Sequence, residues 1–211
     1  MKQIKSVVLL LGLGMIWNVT HAQTSFGIRG GVQFFNLNGK DESGDNWQNK
    51  LHTGFHLGVN AEVPVAEDFY VQPGLLFSVK GAKTKYPNAD VKTNLNYLEI
   101  PVNFLYKPAL GEGKLLLGFG PYLAYGLGGK ATDGTNDADV KFKNSPNGSV
   151  DAIYFKPLDA GANILFGYEF ANRLSAQLNA QLGLVNINPY SNDATIKNTG
   201  FGISLGYRFG Q

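Results

Sequence analysis

Leu174-Ser175-Ala176-Gln177-Leu178-Asn179-Ala180-Gln181-Leu182-Gly183-Leu184 alternates strictly between apolar and small or polar side chains. After a polar loop, Asn186 to Asn198, the alternation resumes in Phe201-Gly202-Ile203-Ser204-Leu205-Gly206-Tyr207-Arg208-Phe209. Successive strand residues point to opposite faces, so a period of two predicts two strands, each with one apolar face.

Upstream, the same design repeats. A first strand is predicted from Ser25 to Phe35, with Phe26, Ile28, Val32 and Phe34 opposite Gly27, Arg29, Gly31 and Gln33. A second sets Phe55, Leu57, Val59, Ala61 and Val63 against His56, Gly58, Asn60 and Glu62. A third begins at Phe69 and carries Gln72, Ser78 and Lys80 on its polar face; a fourth runs from Leu95 to Lys107 with Glu99 and Asn103 on that face. A fifth spans Lys114 to Gly128, and a sixth sets Ile164, Phe166 and Tyr168 against Asp159, Asn163 and Glu169. The connections alternate in length. Asn36–Lys50, Gly81–Asn94, Gly129–Ile153 and Asn186–Asn198 are long and polar; Pro64–Asp68, Pro108–Gly113 and Ala171–Arg173 are short. Alternating long loops and short turns around an even strand number predict an all-β fold, an eight-stranded antiparallel up-and-down transmembrane β-barrel with its short turns in the periplasm.

Composition agrees. Of 211 residues 27 are Gly, aromatics reach 12%, and there is no Cys, so no disulfide framework holds the chain. A net charge of +2 argues against a nucleic-acid partner. Residues 1–22 read as a signal peptide: Lys2 and Lys5, an apolar core from Val7 to Val19, and Thr20-His21-Ala22 ending in a small residue. The alternative is a retained anchor, for which the apolar run is short. Residues 23–211 are then the barrel domain, located in a cell outer membrane.

Alternation alone does not say which face is outside; a soluble calyx would put the apolar face inside. Here the other face is mostly Gly, Ser, Asn and Gln, which fit the narrow interior of an eight-stranded barrel. Its ionisable members balance: Arg29, Lys80, Lys107 and Arg208 against Glu62, Glu99, Asp159 and Glu169. Buried charges must be paired, so these eight are predicted to form a charge network in the lumen. Phe69, Tyr106, Tyr125, Tyr168, Phe170, Tyr207 and Phe209 fall near strand ends, as an interfacial girdle requires.

Two adjoining stretches carry a family likeness: Tyr70-Val71-Gln72-Pro73-Gly74-Leu75-Leu76-Phe77-Ser78-Val79-Lys80-Gly81 and Tyr97-Leu98-Glu99-Ile100-Pro101. Together they resemble the PorT-like family of small outer-membrane β-barrels, whose pattern is Gln-Pro, then Ser-x-Lys-Gly, then Tyr-Leu-Glu-Ile-Pro. Gly118-Phe119-Gly120-Pro121-Tyr122 and Gly206-Tyr207-Arg208-Phe209 extend the likeness, while Gly210 and Gln211 after the terminal aromatic depart from it. The resemblance implies an eight-stranded barrel in a Gram-negative outer membrane; its founding member is linked to protein secretion.

Pro cannot donate to a strand ladder, so Pro73 and Pro101 are expected at β-bulges. Asp133, Asn136, Asp137 and Asp139 offer oxygen ligands, but the EF-hand spacing fails, and they read as a solvated loop. Asn147-Gly148-Ser149 suits a hairpin turn, so Lys141–Lys143 and Val150–Phe155 are expected to form a protruding hairpin. His52 and His56 share a strand face with no third ligand nearby and read as polar lining, leaving no metal site. No Gly-x-Ser-x-Gly elbow appears. The expected protein is non-enzymatic, binds no cofactor, lacks a wide pore, and plays a structural or surface-interaction role. Its expected partners are outer-membrane lipid, the barrel-assembly machinery, and an extracellular or secretion-system protein. A narrow channel for small solutes, favoured by the Gly-rich faces, and a lipid-acting membrane enzyme are the alternatives.

Overall fold

The computed structural model describes residues 23–85, 90–146, 152–190 and 193–210. The expected signal peptide and the Asn147-Gly148-Ser149 triplet lie outside these residues. Among the described residues there are twelve strands: β1 (Ser25–Asn38), β2 (Asn49–Lys50), β3 (His52–Ala66), β4 (Phe69–Lys85), β5 (Asp90–Tyr106), β6 (Ala109–Leu110), β7 (Gly113–Thr132), β8 (Asp137–Phe142), β9 (Ile153–Phe155), β10 (Leu158–Glu169), β11 (Leu174–Gly183) and β12 (Lys197–Phe209). Eight of them close into a ring in chain order: β1, β3, β4, β5, β7, β10, β11 and β12, which returns to β1. Every neighbouring pair in the ring is antiparallel. Closure removes the unpaired strand edges an open sheet would expose.

The alternation sorts the side chains by face. Phe119 is 65% exposed and Leu205 68%, whereas Gly118, Gly120 and Ser204 beside them are buried, with Ser204 at 1%. The ring is therefore apolar outside and polar within, the reverse of a water-soluble calyx. Near the short turns, aromatic rings pair along the outer rim: Phe69 stacks on Tyr106 at 4.8 Å, and Tyr168–Phe170 and Tyr207–Phe209 meet edge-on at 5.1 and 5.2 Å.

Three expectations are corrected. Gly81–Asn94 is not one long loop, because β4 continues to Lys85 and β5 starts at Asp90, so the two strands project together beyond the ring. Gly81 permits this. It sits at φ +141°, and a Cβ there would lie 1.9 Å from the Thr93 carbonyl oxygen. Gly81→Ala is expected to destabilise the fold by about 1–3 kcal/mol, the usual range for a residue forced into a sparse backbone region. Urea unfolding in detergent micelles checks this; unchanged stability contradicts it.

Second, the expected hairpin of Lys141–Lys143 with Val150–Phe155 is not seen in its described part, Ile153–Phe155. β8 turns back on the end of β7, pairing Gly129 with Val140, and β9 joins β8 in parallel, pairing Val140 with Ile153. The reversal sits at the acidic loop. The Asp133 carboxylate accepts the backbone N–H groups of Thr135 at 2.8 Å and Asn136 at 2.7 Å. These hydrogen bonds, from Asn136 foremost, hold its carboxyl below the usual carboxylate range. Asp133 is thus a turn former.

Third, neither Pro73 nor Pro101 marks a bulge. On either side of Pro73 the β3–β4 register is the same, Asn60 opposite Gly74 and Val63 opposite Val71. The β4–β5 ladder merely lapses between Pro73↔Val102 and Leu76↔Glu99 and resumes in phase. A missing N–H removes a rung without displacing the strands. The register shifts occur elsewhere, between Pro64 and Ala66 and between Asn96 and Tyr97.

Candidate functional site

Inward-facing residues of β5 descend from the long-loop end in the order Leu95, Tyr97, Glu99, Pro101, Asn103, Leu105, and each is buried. They index the layers of the lumen. At the top, Leu95 and Tyr97 pack with Ala82, Val140, Phe155 and Ile187 in one apolar cluster. Phe155 and Ile187 come from connections outside the ring strands. The connection bearing Ile187 is tied down: its N–H donates to the Ile196 carbonyl at 2.8 Å, and its carbonyl accepts from Lys156 N at 2.8 Å. Across the mouth, Trp47 Nε1 donates to the Thr195 carbonyl at 3.0 Å, and Thr195 N to the Lys40 carbonyl at 2.8 Å.

Beneath this cap lies the first charge cluster. Lys80 Nζ sits 2.9 Å from Glu99 and 3.4 Å from Asp159; Lys80 and Asp159 are both at 0% exposure. The ammonium also lies 4.1 Å from the Tyr122 ring centroid, a cation–π contact. Asp159 accepts further from Asn198 Nδ2 at 3.0 Å and Tyr122 Oη at 3.3 Å, and Glu99 accepts from Gln181 Nε2 at 2.6 Å.

Neutral polar groups fill the middle. His56 contacts Gln33 Oε1 at 3.1 Å and Ser204 Oγ at 2.8 Å, and Ser204 donates to Asn179 Oδ1 at 2.7 Å. A chain of amides leads downward: Asn163 donates to Asn103, Asn103 to Gln72 at 3.1 Å, and Gln72 to Glu62 at 3.1 Å.

The second charge cluster lies at the short-turn end. Lys107 Nζ meets Glu62 at 2.7 Å and Glu169 at 2.9 Å. The Arg208 guanidinium bridges the same two carboxylates, reaching Glu169 through Nε at 3.2 Å and Glu62 through Nη2. Seven of the eight predicted charges thus fall into two clusters, and the amide chain rises from the lower one as far as Asn163. Arg29 stands apart: among the described residues it makes no ion pair, and its Nε has no hydrogen-bond partner. It shares with Glu99 and His56 a cavity of about 20 Å³. That volume is on the order of a single water, far below what a solute occupies.

The Ser204–His56 contact has nucleophile–base spacing. However, the Ser204 hydroxyl donates its hydrogen bond to Asn179, and Ser204 and His56 are both buried. His52 and His56 do not converge either, since His52 bonds Asn94 Oδ1 at 2.6 Å. Among the described residues no three His, Cys, Asp or Glu side chains are grouped as a metal site. Sequence reading missed the cap: Ile187 and Phe155 lie in segments without periodicity, and only their apolar character within polar stretches could have marked them.

The sequence matches the profile of the family described as outer membrane protein beta-barrel domain over residues 21–188. The chain belongs to this family and is a β-barrel of the cell outer membrane. Among solved structures, it is similar to OprG from Pseudomonas aeruginosa, with 13% identity, 92% of this chain and 99% of that chain covered, and a TM-score of 0.47. It is also similar to Neisserial surface protein A, with 14% identity, 89% and 99% coverage, and a TM-score of 0.46. A third is the attachment invasion locus protein of Yersinia pestis in complex with the heparin analogue sucrose octasulfate, with 14% identity, 89% and 99% coverage, and a TM-score of 0.43. No curated protein matches.

Proposed function

For a member of this family, we propose an eight-stranded antiparallel up-and-down transmembrane β-barrel with a structural or surface-interaction role and no wide pore. The observation that carries the proposal is the filled lumen: an apolar cap, two ion-pair clusters and the amide ladder between them occupy it from end to end. An eight-stranded ring has an interior just wide enough for its own side chains, and here ion pairs and side-chain hydrogen bonds link most of the polar ones, with Arg29 Nε and seven buried side-chain oxygens left without a hydrogen-bond partner among the described residues. In this reading the long connections face outward and the short turns face the periplasm. Residues 1–22 act as an export signal, the barrel-assembly machinery inserts the chain, and the protein has no enzymatic activity.

The exterior connections are the surface left for interaction. Tyr97-Leu98-Glu99-Ile100-Pro101 supports placement in the PorT-like branch, and with it an extracellular or secretion-system protein as the partner. Recording from purified protein in a planar bilayer tests the reading: no unitary current steps are expected. Discrete, ion-selective steps would overturn it in favour of a narrow channel for small solutes.

A further inference from the structure

Where β4 and β5 project beyond the ring, cross-strand pairing lines up lysines. Lys50 of β2 is the register partner of Lys83 in β4, and Lys83 is the partner of Lys92 in β5. Register partners in an antiparallel ladder point to one face, and like charges set directly opposite repel. The face is the outward one, because the alternating neighbours Ala82 and Thr93 are buried inside. Lys85 lies two residues beyond Lys83, on the same face. Anions offset this only in part. Asp90 pairs with Lys83 at 2.9 Å, and Asp137 approaches Lys130 at 3.8 Å, with Asp139 as the register partner of Lys130. Among the described residues Lys50, Lys85 and Lys92 have no ion-pair partner. The hydrogen bond from Lys83, with the charges of Lys83, Lys50 and Lys85, holds the Asp90 carboxyl below the usual range.

Directly below this lysine row, on the same outer wall, is a groove of about 550 Å³. Phe55, Phe77 and Leu127 line its lower part, and Asn94 and Lys130 its upper part. It opens where the β5–β7 register slips beside Asn96. Its lower wall is continuous with the apolar belt, so it is walled like hydrocarbon below and like a headgroup layer above.

We propose that this wall is a binding site for an anionic, phosphate-bearing lipid of the outer leaflet, its phosphates on Lys50, Lys83 and Lys92 and an acyl chain in the groove. Ammonium groups hold phosphate as point charges, and a row of them matches a headgroup carrying more than one phosphate. A free phosphate would satisfy the lysines but leave the groove unexplained; a zwitterionic lipid would fill the groove but leave the lysine row unneutralised. The placement rests on the orientation proposed above, with the long connections outside.

The test uses the full chain purified in dodecyl maltoside, with bis-phosphorylated lipid A as the probe and retention read by native mass spectrometry. Replacing the row by Lys50→Gln/Lys83→Gln/Lys92→Gln is expected to weaken retention about tenfold or more, which is one lost charge-assisted contact or better. Lys50→Gln/Lys92→Gln leaves the Lys83–Asp90 pair intact, and serves if the triple variant does not fold. Millimolar inorganic phosphate is expected not to displace the lipid. Equal retention by wild type and both variants, equal retention of phosphatidylethanolamine, or displacement by inorganic phosphate alone would overturn the proposal. The assay is indifferent to orientation, which thiol labelling of Asp133→Cys on intact cells reads separately.

Discussion

Replacing Lys80 by methionine is expected to destabilise the folded barrel by about 3–5 kcal/mol, the cost of breaking a buried ion pair from one side. Lys80 is the cation shared by Glu99 and Asp159, and both carboxylates are buried. Methionine fits beside the Tyr122 ring but leaves two carboxylates facing each other with neutral donors only. Glu99→Ala is expected to cost less than Lys80→Met, because Lys80 keeps Asp159 at 3.4 Å. Lys83→Met is the control: the Lys83–Asp90 pair is of similar length at 2.9 Å but partly exposed, and is worth at most about 1 kcal/mol. Urea unfolding of the three variants in lipid vesicles gives the order directly. A Lys80→Met loss no larger than that of Lys83→Met would mean the lumen is wet.

Leu205→Arg is expected to cost about 2–4 kcal/mol if the residue lies near the bilayer midplane. Leu205 points outward midway along β12, and Leu178 on β11 is also outward, with the same expectation. Adjacent Ser204 faces the opposite way and is hydrogen-bonded to His56 and Asn179. Ser204→Ala therefore loses hydrogen bonds of about 1 kcal/mol each and no lipid contact. The two residues are compared by refolding yield and unfolding midpoint in vesicles. Equal tolerance of Arg at Leu205 and of Ala at Ser204 would mean the register is off by one.

The strands were legible because a half-buried sheet writes its period into the chain, and β11 and β12 write it without a break. The same period assigns Lys80, Glu99 and Asp159 to one face, yet carries no information on which of them meet. Lys80 and Asp159 are 79 residues apart, and only the stagger with which the ring closes brings them together. That is also why Arg29, assigned to the same face, ends beside Glu99 without pairing to it. Strand ends were the least legible part. Polar composition from Gly81 to Asn94 reads as loop, but β4 runs on to Lys85 and β5 starts at Asp90, and the outer faces of these strand ends carry Lys83, Lys85 and Lys92. At Asp133 the turn is made by a carboxylate accepting two backbone N–H groups, a signal that competes with Asn147-Gly148 and is not ranked above it by composition. Pro73 and Pro101 each remove a ladder donor, but a lost donor does not displace a strand, so neither marks a bulge.

The dry lumen is tested most directly by a single thiol in its middle. The chain has no cysteine, so Ser204→Cys introduces a unique label at a 1%-exposed site beneath the cap. Reaction with a small charged methanethiosulfonate reagent is followed in the folded barrel, with Asp133→Cys on the exposed turn as the reference. No labelling of Ser204→Cys until the protein is unfolded, against rapid labelling of Asp133→Cys, is the predicted result. Labelling of both at comparable rates in the folded state would contradict a filled lumen.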